Sequence, residues 1–256
     1  MPRPDYILGH ESVGKRPNIR NELRRIKRDP MEPFLIALCD DLNDLVSSDV
    51  TRYREAYNYY YLAMRRYLQN MSVAARFRNG PHYRLKNGEK YTPYEKKLAA
   101  QYTELRPFLE FDMSNCLLHT RILLDRVAGL SRRFLTLPQT PSFTSFSDHK
   151  KFFERRKTPV EKHEEYARYI VENTPWFEIP IKEVRDKFLV HAASKHMRFM
   201  GMPNDFEVEL IIMLPDAAPP AKPFSKVKVI TVNALRMSHD IEEFLTWFAG
   251  YGTRNL

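Results

Sequence analysis

The feature that most constrains the fold is a long segment, residues 107–135, in which apolar residues recur at helical spacing. The positions that carry the pattern are Phe111, Leu117, Leu118, Ile122, Leu124, Val127 and Leu130. Apolar residues three and four apart bury one face of an α-helix. We therefore predict a central core helix and a mainly α-helical fold.

Several shorter segments show helical patterns around this core helix. The sequence predicts helices over residues 19–27, 34–45, 51–75, 93–105, 159–173, 181–193 and 233–249. Thr51 is the predicted N-cap of the third helix, and Thr92-Pro93 starts the fourth. Pro107 separates the fourth helix from the core helix, because proline interrupts the backbone hydrogen bonds of a helix.

Two regions change from helical to alternating patterns. Residues 206–214 and 226–232 alternate, are rich in β-forming side chains and flank a loop rich in Pro and Ala, so they predict a β-hairpin. Asn87-Gly88, between two short alternating runs, favours a second hairpin with a type I′ turn. The predicted organisation is a flexible basic arm (1–18), a helical extension with a basic hairpin (19–93) and a helical bundle (94–256).

Positive charge is concentrated in one part of the chain. The net charge is +9, and residues 52–100 hold eleven Lys and Arg against three acids. Aromatic residues alternate with these cations, as in surfaces that bind single-stranded RNA. The residues proposed to contact RNA are Arg76, Arg78, Tyr83, Arg84, Lys86, Lys90 and Tyr91. The alternative is a solvated hairpin whose tyrosines pack on the bundle, and Tyr57, Tyr59, Tyr60 and Tyr61 are interpreted as core and rim packing.

Several classes of protein are disfavoured by what the sequence contains. Cys39 and Cys116 provide neither a disulfide framework nor a zinc-binding spacing, which fits a reducing cytoplasm. Apolar runs such as 34–39 reach six residues, and the N-terminus has no apolar signal core, so we expect a cytoplasmic protein without membrane contact. No cofactor or metal is expected. The rival metalloenzyme interpretation uses His163 or His196 as a ligand.

One short segment carries a combination suited to RNA cleavage. Arg185 and Asp186 precede His191, with five residues between the arginine and the histidine. Histidine exchanges protons near neutral pH, and arginine matches two phosphate oxygens. Because the two side chains lie roughly 120° apart around a helix and about 9 Å apart along it, we expect two copies of the chain to form a composite cleft.

At these residues the chain resembles the HEPN-domain family, whose motif has Arg, a polar residue and then His after a short interval. The segment 117–127 is similar to the family's core helix, and a hairpin and closing helix follow the motif. The resemblance covers about residues 95–250 and is to the subgroup linked to abortive infection and toxin–antitoxin systems. It implies a dimeric helical bundle acting as a metal-independent endoribonuclease that leaves a 2′,3′-cyclic phosphate. It also implies RNA and an antitoxin protein as partners.

The same residues admit other interpretations. His191 aligns with Ile181, Val184 and Phe188 on an apolar face and could be a core histidine, while Arg185 could pair with Glu178, Glu183 or Asp125. Asp125, Arg121 and His196 are candidates to support the side chains of Arg185 and His191 without taking part in the reaction themselves. Some members of the HEPN family lack nuclease activity. The alternative function is therefore a non-catalytic module that binds nucleic acid or protein through residues 76–97.

Overall fold

The computed structural model of the protein describes residues 18–40, 44–77, 90–135, 143–155, 163–183, 196–199, 207–214 and 226–256. These parts of the chain are mainly α-helical, as predicted. The helices are α1 (Ile19–Arg25), α2 (Glu32–Asp40), α3 (Asp44–Phe77), α4 (Pro93–Leu130), α5 (Phe146–Arg155), α6 (Glu164–Glu172) and α7 (Ala234–Asn255). Within the described ranges, no helix combines the length and the apolarity that crossing a bilayer requires.

Helices α3 and α4 form an antiparallel pair that is the largest feature of the fold. They contain 34 and 38 residues, which correspond to lengths of about 50 and 57 Å. Their seam is fixed by buried sulfur contacts: the Tyr67 hydroxyl donates to the Met113 sulfur at 3.3 Å, and the Cys116 and Met64 sulfurs lie 3.6 Å apart. The pair provides the scaffold on which the shorter helices pack.

The predicted start of α3 at Thr51 is wrong, because the helix begins at Asp44 and passes through Thr51 without interruption. Thr51 is exposed, whereas Val50 and Tyr53 on either side of it are buried. Burial of this continuous apolar face stabilises the helix more than capping at Thr51 would stabilise a shorter one.

The predicted break at Pro107 is also wrong, since α4 is one helix that contains this proline. A proline inside a helix costs about 3 kcal/mol. Side chains on both sides of it pack against the neighbouring core: Tyr102 stacks on Phe77 with centroids 4.5 Å apart, and Leu109 and Met113 are buried. Packing of both halves therefore outweighs the local cost.

The predicted start of α4 is confirmed by a reciprocal cap. The Thr92 hydroxyl oxygen accepts a hydrogen bond from the Glu95 N–H at 3.3 Å, and the Thr92 N–H donates to Glu95 Oε2 at 2.8 Å. This capping box satisfies donors that the first turn of a helix leaves unpaired.

A three-stranded antiparallel sheet lies between α6 and α7 in the chain, with strand order β1 (His196–Phe199), β2 (Glu207–Leu214) and β3 (Lys226–Asn233). The two strands predicted from alternation pair with each other, and Leu210 lies opposite Ile230. His196, a candidate supporting residue, begins β1 opposite Met213. Pairing of its backbone with β2 determines this local structure.

One hydrophobic core includes side chains from both sides of position 93. Phe34 of α2 meets Phe134 and Phe248 edge to face, each with centroids 5.9 Å apart. Gly252 of α7 lies directly against Phe34, so close that a Cβ atom there would be 2.6 Å from the ring. The residues of the predicted helical extension thus pack into the same core as α7.

Candidate functional sites

The proposed catalytic residues Arg185, Asp186 and His191 lie outside the described residues. The same is true of Arg78, Tyr83, Arg84 and Lys86 in the proposed RNA-binding segment. The chain is described up to Glu183, two positions before Arg185. The geometry of the turn that leads to the motif is therefore the nearest direct observation.

This turn, Glu178–Glu183, is π-helical and packs on α4 through buried apolar side chains. Phe177, immediately before it, and Ile181 within it are both fully buried. The ring of Phe177 contacts Phe146 of α5 edge to face, with centroids 4.8 Å apart. The backbone that leads toward Arg185 is consequently held between two helices.

Two candidate supporting residues, Arg121 and Asp125, lie together on α4 beside this turn. Arg121 is only 3% exposed, its Nε is 3.0 Å from Asp125 Oδ1, and its guanidinium lies 4.8 Å from the centroid of Phe177. Asp125 also accepts the Phe146 N–H at 2.8 Å. The Arg121 Nη1 has no hydrogen-bond partner among the described residues. Arginine keeps its charge when buried, so Asp125 and the Phe177 ring stabilise it here.

A buried lysine fixes the start of the same turn. Lys150 of α5 donates to the Thr174 carbonyl oxygen at 3.1 Å, and its amine lies 3.4 Å from Glu178 Oε1. Lys182 approaches the other oxygen of Glu178 at 2.5 Å. Burial acts to raise the pKa of Glu178, but the hydrogen bond from Lys182 and the charge of Lys150 outweigh it and lower that pKa. Glu178 is therefore held as a carboxylate between two amines.

Sequence reasoning missed Lys150, which lies next to Lys151 and resembles half of a solvated cationic pair. The alternation of burial along α5 separates them, since Lys150 is buried and Lys151 is exposed. Glu178 and Asp125 are candidate partners for Arg185. In the described part of the chain, Glu178 contacts Lys150 and Lys182, and Asp125 contacts Arg121.

Two buried histidines pair with buried phenols. The His163 Nδ1 lies 2.9 Å from the Tyr251 hydroxyl, and the His149 Nε2 lies 3.1 Å from the Tyr166 hydroxyl. Burial lowers the pKa of His149 to about 3, so it is neutral at physiological pH. The described residues contain no group of three potential ligands that could hold a metal ion. His163, which the metalloenzyme interpretation uses as a ligand, is a buried histidine of the core in the described part of the chain.

The ends of α3 and α4 that flank residues 78–89 display cations and one exposed ring. We call this surface the basic tip, defined by Arg76, Lys90, Tyr94, Lys96 and Lys97. All four cations are exposed, and Tyr94 is 64% exposed. The Phe77–Tyr102 stack keeps the two helix ends together. Among the residues proposed to contact RNA, Arg76 and Lys90 are thus accessible, while Tyr91 is half-buried.

Two regions therefore have properties relevant to function: the anchored turn before Arg185 and the basic tip. The first combines buried, paired charges with a fixed backbone. The second presents cations and an aromatic ring to solvent. No protein-family model, curated protein or solved structure matches the chain.

Proposed function

We propose that this protein is a metal-independent endoribonuclease of HEPN type, with Arg185 and His191 at its catalytic centre and Asp186 beside them. In this proposal it works in the cytoplasm as a homodimer. Its role is in toxin–antitoxin or antiphage defence, and an antitoxin protein is its protein partner. The proposal combines the spacing of the motif with the surroundings of the turn that precedes it.

The anchored turn is the observation that carries the proposal. Phe177 and Ile181 fix it against the core, and Glu178 is bound by Lys150. Catalytic groups need supporting structure that holds them close to the productive geometry. A backbone anchored at Ile181, four positions before Arg185, supplies such support. The buried Arg121–Asp125 pair adds charge and hydrogen-bonding capacity beside this turn.

The reaction requires no metal or cofactor. The ribose 2′-oxygen attacks the adjacent phosphorus, and the bond from phosphorus to the 5′-oxygen breaks. His191 accepts the proton of the 2′-hydroxyl while water protonates the leaving 5′-oxygen, or His191 donates the proton to the 5′-oxygen while water accepts the one from the 2′-hydroxyl. Arg185 stabilises the negative charge that develops on the phosphoryl oxygens. The products are a 2′,3′-cyclic phosphate and a 5′-hydroxyl.

The decisive test compares His191→Ala with the native protein on single-stranded RNA in EDTA. We expect the native protein to produce fragments with 2′,3′-cyclic phosphate ends and the variant to produce none. His239→Ala, which changes an exposed histidine of α7, is the matched control and should cleave normally. Unchanged circular dichroism and sedimentation would show that His191→Ala preserves fold and assembly. Full activity in His191→Ala would exclude the proposed mechanism.

The exposed basic tip favours a second candidate function, a non-catalytic module that binds RNA. Its cations would contact phosphates, and Tyr94 would stack on a base. Reversing charge at Arg84, Lys86 and Lys90 should then abolish binding, while Lys151→Glu, on exposed α5 surface, should not. For this candidate the native protein binds RNA with an affinity that falls with salt and cleaves none.

A further inference from the structure

The solvent-facing side of the α3–α4 pair carries a row of exposed rings and cations. We call it the outer flank. Its α3 residues are Arg52, Tyr59, Leu62, Arg66 and Arg76, and its α4 residues are Arg126, His119, Phe111, Phe108 and Lys97. Tyr59, Leu62, Phe108 and Phe111 are each more than half exposed. Apolar side chains grouped in this way on a surface indicate a binding site.

Two of the exposed rings already have a planar partner on one side. Tyr59 stacks on His119 with centroids 5.5 Å apart and planes 17° apart. The guanidinium of Arg66 lies 6.0 Å from the centroid of Phe111. Partial burial lowers the pKa of His119, so it acts as a neutral ring at pH 7. The Tyr59 and Phe111 rings are each more than half exposed, so a nucleobase can stack on them.

Arg66 is held in place from inside the protein. Its Nε lies 2.8 Å from Oδ1 of Asp112, a carboxylate whose side chain is 1% exposed, while Arg66 itself is 56% exposed. Asn70 donates to the second oxygen of Asp112 at 2.5 Å. A guanidinium that is held in this way and is more than half exposed is suited to a phosphate, because its planar fork matches two phosphate oxygens.

Charge identifies the class of ligand. The outer flank carries Arg52, Arg66, Arg76, Arg126 and Lys97. The acids on the same side of the two helices are Glu55 and Glu104. A polyanion complements this excess of positive charge. A second copy of the chain related by a twofold axis would instead place the same cations against each other.

We propose that the outer flank is a track for single-stranded RNA, in which Tyr59 and Phe111 stack on bases and Arg52, Arg66 and Arg126 contact phosphates. The track is continuous with the basic tip, and from Arg126 to Tyr94 it extends about 48 Å along α4. This inference deepens the proposed function, since it specifies an extended unpaired strand as the substrate class.

The test measures binding of the full chain to a fluorescein-labelled, 2′-O-methylated 20-nucleotide oligouridine, which cannot be cleaved through its 2′-oxygen. Fluorescence anisotropy is recorded from 50 to 300 mM salt. Tyr59→Ala and Phe111→Ala should each raise Kd about tenfold without changing the salt dependence, because stacking releases no counterions. Arg52→Gln, Arg66→Gln and Arg126→Gln together should lower the slope of log K against log salt by about 2.

Matched controls change residues away from the track. Arg155→Gln and Arg168→Gln remove exposed cations from α5 and α6, and Ile36→Ala trims an exposed apolar side chain of α2. These variants should bind as the native protein does. Tyr59→Phe, which keeps the ring, should restore binding and thereby exclude a general loss of structure.

The outcomes separate this inference from the proposed function. Native-like binding by the ring and arginine variants would overturn the track, even if the protein cleaves RNA. Altered sedimentation of the ring variants with unchanged RNA affinity would overturn it in favour of a protein interface. Ring-dependent binding without cleavage would support the track and exclude the nuclease.

Discussion

The outer flank and the core around α5, α6 and α7 use similar side chains in opposite ways. On the flank, rings and cations such as Tyr59 and Arg66 face solvent. In what we call the aromatic core, rings enclose polar groups. The rings are Phe143, Phe146, Phe153, Tyr166, Phe177, Phe244 and Phe248, and the polar groups include Arg121, His149, Lys150 and His163. The rings and cations of the outer flank are exposed to solvent, whereas the polar groups of the aromatic core are buried.

This difference in burial predicts whether a substitution changes mainly the stability of the protein or its binding of a ligand. A buried polar group must be paired, and removing its partner exposes the full cost of its desolvation. An exposed group makes small contributions to stability, but it is available to a ligand. Changes in the aromatic core should therefore lower the free energy of unfolding strongly. Changes at flank residues that do not pair with a buried group, such as Tyr59, should alter it little and act mainly on binding.

Removing Asp125 should have one of the largest effects on stability. Asp125→Ala leaves the buried charge of Arg121 without its carboxylate, which costs about 3–5 kcal/mol of unfolding free energy. Asp125→Asn keeps an acceptor for the Phe146 N–H and should cost less. Urea denaturation measures both. The double variant Arg121→Met/Asp125→Leu removes the unpaired charge and should recover most of the loss. A small effect of Asp125→Ala would show that the aromatic core tolerates unpaired charge.

Two glycines of α7 test how tightly the same core is packed. In Gly252→Ala the new Cβ would lie 2.6 Å from the buried ring of Phe34, and overpacking of this kind costs about 1–3 kcal/mol. In Gly250→Ala the nearest atom is 3.7 Å away on the side chain of Arg254, so the gain in helix propensity of about 1 kcal/mol should prevail. Thermal denaturation should shift in opposite directions. Equal shifts would contradict the close contact at Phe34.

Local sequence signals predicted the presence of helices and strands better than the residues at which they begin and end. The apolar periods identified the core helix and both strands of the β2–β3 pair, because periodicity follows directly from which face is buried. Thr51 and Pro107 carry real local preferences for a helix start and a helix break. Burial of Val50, Tyr53, Leu109 and Met113 overrides those preferences. That burial depends on residues distant in sequence, which local patterns do not contain.

Prediction of the candidate sites is limited for the same reason. Charge and aromatic content predicted a basic surface, and Arg76 and Lys90 are exposed there. Among the tyrosines interpreted as packing, Tyr57 and Tyr60 are buried, but Tyr59 is 59% exposed. The burial of Lys150 had no local signal, since it depends on Thr174 and Glu178. The roles of Arg185 and His191 stay predictions.

The carboxyl of Asp29, beside the α3–α4 pair, makes hydrogen bonds within the protein, and its titration allows a test of how stability depends on pH. Asp29 accepts hydrogen bonds from the Tyr53 hydroxyl and the Met31 N–H, both at 2.9 Å, and burial raises its pKa to about 6. The folded state then binds more protons than the unfolded state between about pH 4 and 6, so stability falls as pH rises through that window.

Asp29→Asn keeps both acceptor contacts and removes the charge. It should raise the unfolding free energy at pH 7 by about 1–2 kcal/mol and have little effect near pH 4. Urea denaturation of both proteins across this range gives the difference, in which other titrating groups cancel. A constant difference at all pH values would show that Asp29 does not titrate in this window.

The smallest effect on stability is expected on the outer flank. Tyr59→Ala removes an exposed ring and should cost less than about 1 kcal/mol, the contribution of its stack on His119. Tyr60→Ala removes a buried ring one residue away and should cost about 3–5 kcal/mol. The two variants delete the same atoms from adjacent positions of one helix, so urea denaturation isolates the effect of burial. Similar costs would mean that Tyr59 is part of the packing after all. The outer flank would then lose its distinction from the aromatic core, and Tyr59 would no longer be free to stack on a ligand.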